Sequence, residues 1–234
     1  MLRSSKGVPV PKGYSVFKED WERARAKGKE GAETAPYSGN EAEYRTRKST
    51  GSYSDFLAHG MELPAVVKVC CGGSSVGVYI VTSEEEYESA LEGAFSYEDE
   101  VIIEEYIDGR ELSVGVINGE ALPVIEIAPI EGFYDYKNKY TEGATIETCP
   151  AELPGELSRR MREYAVAGSE ALCLDAYCRL DFMMRENGEI FCLEANTLPG
   201  MTPTSLIPQE AAALGVDYPT LCEKLIEVSM LKYQ

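Results

Sequence analysis

The sequence predicts an α+β protein whose sheets are largely antiparallel, and three observations lead there. Apolar runs over residues 100–107, 111–117 and 121–127 follow one another through Asp108-Gly109 and Asn118-Gly119, both strong hairpin signals. A second pair of alternating runs, ending at Phe182 and Asn196, is joined through Glu186-Asn187-Gly188, a connection that also suits an antiparallel hairpin. Few segments carry helical periodicity, and they interrupt the strands rather than alternate with each one.

The elements justify themselves in order. Residues 6–17 form an extended stretch of proline, glycine and apolar residues, and residues 18–29 read as a short charged helix around Trp21. From Gly28 to Gly60 the composition turns to Gly, Ser, Thr, Glu, Lys and Arg without periodicity, which predicts a long loop or insertion. Residues 65–69 and 78–81 are strands flanking the Gly/Ser segment 72–77. Thr82 or Ser83 caps a helix running to Ala94, with acids in its first turn where the dipole favours them. After the strand meander, residues 129–150 are polar and tyrosine-rich. Pro154 introduces an amphipathic helix over 157–172, and two helical stretches from Pro208 onward close the chain.

Composition sets outer limits. With 234 residues, 44% of them hydrophobic, the chain can bury a real core as one or two domains. A formal net charge of −18 argues against nucleic acid or an anionic membrane as the main partner. No apolar run reaches the ~20 residues needed to span a bilayer, and the N-terminus lacks a signal-peptide core. The seven cysteines show no metal-ligand spacing and read as reduced core thiols of a cytoplasmic protein.

The chemistry concentrates near the C-terminal hairpin. Side chains alternate along a strand, so Glu194 and Asn196 share a face, as do Arg179 and Asp181. If the strands pair, Asp181, Glu194 and Asn196 make an all-oxygen cluster suited to a hard cation that also holds phosphate. The bland alternative is a solvated polar stripe. Residues 72–77 match a P-loop spacing, but Val78 stands where Lys is needed. They also match a nucleophile elbow at Ser75, yet the only histidine, His59, precedes it. A glycine hairpin whose N–H groups cover phosphates, with Lys68 supplying charge from the strand before it, remains beside a purely structural turn.

The run Glu-Ala-Asn-Thr-Leu-Pro-Gly-Met-Thr at 194–202, with Asp181 before it, resembles the metal-binding end of ATP-grasp ligases and specifically the D-alanine–D-alanine ligase family. The resemblance extends from about Leu63 to the C-terminus. It implies an ATP-grasp fold, two α/β subdomains with largely antiparallel sheets gripping ATP between them. It implies two Mg²⁺ ions, or Mn²⁺, on Asp181, Glu194 and Asn196. Lys68 and Lys139 are then phosphate contacts, and Ser74 and Tyr140 meet when two loops close over the site. Glu104, Glu105 and Ile107 hold the adenine edge, Glu111 takes the ribose, and Phe133 begins the lid segment. Arg179 stabilises the reacting acyl group, while Gly200, Ser205 and Leu206 bind the carboxylate of the second D-alanine. Tyr140 favours a dipeptide product. The family often has Pro after the lysine, where this chain has Val69.

The expected organisation is a linker and short helix over 1–27, an insertion over 28–62, a small ATP-grasp subdomain over 63–108 and a catalytic subdomain over 109–234. The family also has an N-terminal domain with a glutamate for the first D-alanine, which this chain is expected to lack. The expected partners are a second copy in a homodimer or a partner chain that supplies that domain, and the chain otherwise reads as a ligase truncated at its N-terminus. The expected activity is ATP-dependent joining of two D-alanines through an acyl phosphate, yielding a peptidoglycan precursor. A nucleotide-binding remnant without ligation, or a ligase with D-serine or D-lactate as acceptor, stands as the alternative.

Overall fold

The structure, a computed structural model, describes residues 7–26, 49–73, 75–129 and 145–231. Two compact units divide the chain. One comprises Pro11–Tyr106; the other comprises Ile107 onwards together with the residues up to Val10.

In the first unit, β1 (Gly13–Phe17), β2 (Ala65–Val69), β3 (Val78–Val81) and β4 (Glu100–Glu105) form an antiparallel sheet in the order β1-β4-β2-β3. Alternation in β2 is clean: Ala65, Val67 and Val69 are buried while Val66 and Lys68 are only half-buried. The buried face carries α1 (Lys18–Ala26), α2 (Tyr53–Ala58) and α3 (Glu84–Ala94), and Phe56, Tyr87 and Leu91 complete the core. Helix α3 starts at Ser83, whose Oγ accepts the Glu86 N–H at 3.2 Å, while the Glu86 carboxylate returns to the Thr82 N–H at 2.7 Å. The pairing resembles a capping box, with the carboxylate reaching one residue before the cap.

Helix α2 was not expected, since it falls inside the stretch read as an insertion. Its signal is short: Ser52 caps it by accepting the Asp55 N–H, and Tyr53 and Phe56 lie three apart on one side, their rings stacked 5.3 Å apart. Phe56 is fully buried, so this turn belongs to the core. Residues 27–48 lie outside the described residues.

The second unit holds a six-stranded sheet of β5 (Arg110–Ile117), β6 (Glu120–Ala121), β7 (Ile125–Pro129), β8 (Thr145–Thr148), β9 (Tyr177–Met184) and β10 (Ile190–Asn196). Its order is β10-β9-β5-β7-β8, with β6 beside β5 and every pair antiparallel. Leu112, Val114, Val116, Cys178, Leu180 and Phe182 point to one face, where they pack on Met161 and Ala165 of α4 (Gly155–Ala171) and on Val8. The opposite face carries Ser113, Arg179 and Asp181. Toward one end of that face, α5 (Leu206–Ala212) and α6 (Tyr218–Met230) pack through Ile207, Leu221 and Leu225 into one cluster with Ile117 and Leu122.

One expected hairpin forms here, and four expectations change. Asn118-Gly119 does make the β5–β6 hairpin, with both φ angles positive (51° and 77°) as a two-residue turn demands. Asp108-Gly109 makes no hairpin, because β4 and β5 belong to different sheets. Gly109 is needed for close approach instead: a Cβ there would meet the Met184 carbonyl oxygen at 2.1 Å. The run 121–127 is broken at Leu122-Pro123, since Pro has no N–H for the ladder, leaving β6 and β7 as separate strands. Strand β8 lies in the segment read as a loop. The seven thiols are unpaired, as expected, but Cys71 and Cys173 are exposed rather than in the core. Among the described residues no helix is long and apolar enough to cross a membrane.

Candidate active site

The centre of the second unit's open face is a cross-strand grid. Arg179 faces Gly115 on β5 and Asn196 on β10; Asp181 faces Ser113 and Glu194. Strict alternation from the buried Ile190 and Cys192 would turn Glu194 into the core. The register shifts between Cys192 and Glu194, and the extra residue, Leu193, forms a bulge. That bulge turns Glu194 and Asn196 onto the face of Arg179 and Asp181.

Asp181 receives hydrogen bonds from four groups. Arg179 Nε donates to Oδ1 and Nη2 to Oδ2, both at 2.8 Å; Ser113 Oγ donates to Oδ1 at 2.7 Å and Asn196 Nδ2 to Oδ2 at 2.9 Å. Asn196 Nδ2 also reaches Glu194 Oε1 at 3.1 Å. Burial works to raise the Asp181 carboxyl, but the Arg179 guanidinium and the donated hydrogen bonds hold it below the usual carboxylate range. Burial works against the charge of Arg179 as well, and Asp181, then Glu194, raise it above the usual guanidinium value. Arg179 Nη1 has no protein partner among the described residues and is the one guanidinium nitrogen not committed to Asp181.

The loop after β10 brings Gly200 and Ser205, two of the residues expected to bind a carboxylate, close together. Thr202 N–H donates to Ser205 Oγ at 3.0 Å, the two hydroxyls lie 2.9 Å apart, and a Cβ on Gly200 would sit 3.1 Å from Ser205 Oγ. Ser205 occupies the N-cap of α5, yet its hydroxyl bonds the loop rather than the helix. The Leu206 side chain is buried against Ile125 and Ile127, so only its backbone N–H, at the first turn of α5, can serve a ligand.

In the other unit, Lys68 Nζ pairs with Glu104 Oε2 at 2.6 Å, both side chains mostly buried. Glu105 Oε1 accepts the Lys12 N–H at 2.8 Å, and its own N–H donates to the Lys12 carbonyl at 2.8 Å. The hairpin after Lys68 is closed by Val76 N–H to Gly73 O at 3.1 Å, with Ser75 and Gly77 at positive φ. Ile107 is buried, and Glu111 lies on β5 with Met183 and Ile127 as cross-strand neighbours. Ser74, Phe133, Lys139 and Tyr140 lie outside the described residues.

Residues 27–227 match the family described as D-ala D-ala ligase C-terminus. The chain belongs to that family. A D-alanine–D-alanine ligase of Nitratidesulfovibrio vulgaris (strain DP4) is 46% identical over 172 residues, 73% of this chain and 57% of the relative. That of Geobacter sulfurreducens is 44% identical over 183 residues, 78% of this chain and 58% of the relative. The crystal structure of the Bacillus anthracis D-alanine–D-alanine ligase aligns with a TM-score of 0.71 at 34% identity, over 98% of this chain and 64% of that one. The VanG D-Ala:D-Ser ligase of Enterococcus faecalis aligns at 0.71 and 29% identity, over 97% and 59%. The chain thus spans a little over half the length of these curated D-alanine–D-alanine ligases, and its fold is the ATP-grasp fold.

Two residues of this D-ala D-ala ligase C-terminal unit were missed in the sequence. Ser113 is a hydroxyl within the apolar run of β5, fully buried, and bonds Asp181. Glu210 is an acid on the buried side of α5, fully inaccessible, whose Oε2 accepts the Gly115 N–H at 2.7 Å. The available signal for both was polarity at a position that periodicity assigns to the interior.

Proposed function

We propose that this chain carries the ATP-dependent ligation of two D-alanines through an acyl phosphate. The observation that carries the reading is Arg179, pinned to Asp181 beside Glu194 and Asn196, with the Gly200–Ser205 turn in the same unit. One carboxylate oxygen of the first D-alanine attacks the γ-phosphorus of ATP, and ADP leaves. The amine of the second D-alanine then attacks the acyl carbon, phosphate departs, and the amine proton is lost. Arg179 Nη1 supplies a fixed cationic donor to the oxyanion that forms on that carbon. Ser205 Oγ and the Leu206 N–H receive the second carboxylate, and Lys68 takes a phosphate oxygen in exchange for Glu104. Ser74, Lys139 and Tyr140 complete the reading as lid residues, with Phe133, Glu104, Glu105, Ile107 and Glu111 around the nucleoside.

The donor set fits a hard divalent cation. Asp181 and Glu194 are adjacent carboxylates, and with Asn196 Nδ2 committed to both, its carbonyl oxygen is the end left for a metal. Among the described residues no cluster of three or more acidic, histidine or cysteine ligands exists, which suits a Mg²⁺ that keeps waters and phosphate oxygens as its other ligands. Two such ions, bound, would neutralise the charge developing on the phosphates.

The test is phosphate release by this chain with Mg-ATP, with and without D-alanine, alongside chromatography for the dipeptide. D-alanine-dependent phosphate with matching dipeptide supports the reading. ATP binding without D-alanine-dependent turnover assigns the chain to nucleotide binding instead, and turnover only with D-serine or D-lactate reassigns the acceptor.

A further inference from the structure

Glu210 is fully buried, and nothing in the ligation chemistry above uses it. Its Oε2 takes the Gly115 N–H, while Oε1 has no hydrogen-bond partner among the described residues. A Cβ built on Gly115 would lie 2.5 Å from Glu210 Oε2 and 3.0 Å from Ile207. The carboxyl therefore stands where a side chain at position 115 would begin. Gly115 is the direct cross-strand partner of Arg179, and side chains of such partners share a face with Cβ atoms about 4.5–5.5 Å apart. Two residues earlier on β5, Ser113 holds the same relation to Asp181 and hydrogen-bonds it at 2.7 Å. Helix α5 thus lends β5 a side chain at the one point of the grid where β5 has none.

We propose that Glu210 is a positioning residue of the site, standing in for the missing Gly115 side chain beside Arg179 and holding the guanidinium on Asp181. The inference deepens the ligase reading and rests on it for its functional meaning. The charges that act on Glu210 are those of Arg179 and Asp181 on β9, and Glu210 in turn acts on Cys149 after β8. Burial raises the Glu210 carboxyl well above the ordinary value, with the Gly115 N–H and Arg179 opposing it. Disfavouring the charged form of Glu210 spares the positive charge on Arg179 that an oxyanion must meet. A second carboxylate there would compete for that charge.

The experiment follows the side-chain Nε–H signal of Arg179 in the ¹⁵N-labelled chain, assigned by its loss in Arg179→Lys. Glu210→Gln keeps a polar group and should leave the exchange rate of that proton within twofold of wild type. Glu210→Met keeps length and packing but no polar group, and should speed exchange at least tenfold. It should also lower kcat at least tenfold with KM for ATP within twofold. A folded Glu210→Met chain whose Arg179 proton exchanges at the wild-type rate overturns the proposal and leaves Glu210 as packing between α5 and β5. If Glu210→Met does not fold, Gly115→Ala asks the same question, because its Cβ displaces the carboxyl. Faster Arg179 exchange there supports the proposal and unchanged exchange overturns it. The exchange signal needs no turnover, so a chain without D-alanine-dependent activity would refute the ligase reading while the role of Glu210 is still decided.

Discussion

Asp181→Asn is the perturbation whose magnitude can be worked furthest. It removes the charge that holds Arg179 by two 2.8 Å hydrogen bonds, in a pair whose side chains are each only 10% exposed. Breaking a buried pair by removing one partner costs about 3–5 kcal/mol, because the other charge is left uncompensated. Glu194 remains beside Arg179 and offsets part of this, so about 3 kcal/mol is expected. For a domain of this size, that is a fall of roughly 6–12 °C in Tm. The pH dependence follows from the depressed Asp181 value. Its folded pKa lies below the unfolded one of about 3.9, so its stabilisation is fully present above that pH and is lost as pH falls through the folded value. Thermal melts of wild type and Asp181→Asn should therefore differ most near neutrality and converge as the pH drops below about 4. A difference under 2 °C at pH 7, or one that stays constant into acid, would refute the reasoning.

Lys68→Met removes the cation that Glu104 holds at 2.6 Å and should weaken Mg-ATP binding by roughly tenfold or more, as loss of a charged hydrogen bond implies; a calorimetric Kd within twofold of wild type would contradict it. Ser205→Ala removes an acceptor from Thr202 N–H and should cost only about 1 kcal/mol of stability while raising KM for D-alanine roughly tenfold. An unchanged KM would remove Ser205 from the acceptor site. Gly109→Ala places a Cβ 2.1 Å from the Met184 carbonyl oxygen and should destabilise the chain by about 1–3 kcal/mol in urea unfolding, with a neutral result placing that approach in error.

What was readable in the sequence depended on distance along the chain. Alternation within β9 put Arg179 and Asp181 together, and alternation within β10 did the same for Glu194 and Asn196, because a strand's faces are a local property. Which faces met was not local. The bulge at Leu193 decides it, and no residue type there announces a bulge. Turn chemistry showed that the chain bends at Asp108-Gly109 but not that the flanking strands enter different sheets. Helix α2 was hidden because its six residues, anchored by Phe56, sit at the end of a long stretch that is polar in composition. Ser113 and Glu210 reach the grid from 68 residues before Asp181 and 95 residues after Gly115, so only the folded chain brings them there.

The most direct test of the ligation reading follows an oxygen atom. D-alanine labelled with ¹⁸O in its carboxylate, incubated with this chain and Mg-ATP, should pass one labelled oxygen into the released phosphate, because the attacking carboxylate oxygen leaves with phosphorus when the amine displaces it. Labelled phosphate matching the dipeptide formed is the predicted result. Phosphate carrying no label, with ATP consumed, would mean that water and not D-alanine accepts the phosphoryl group, and the ligation account would be wrong.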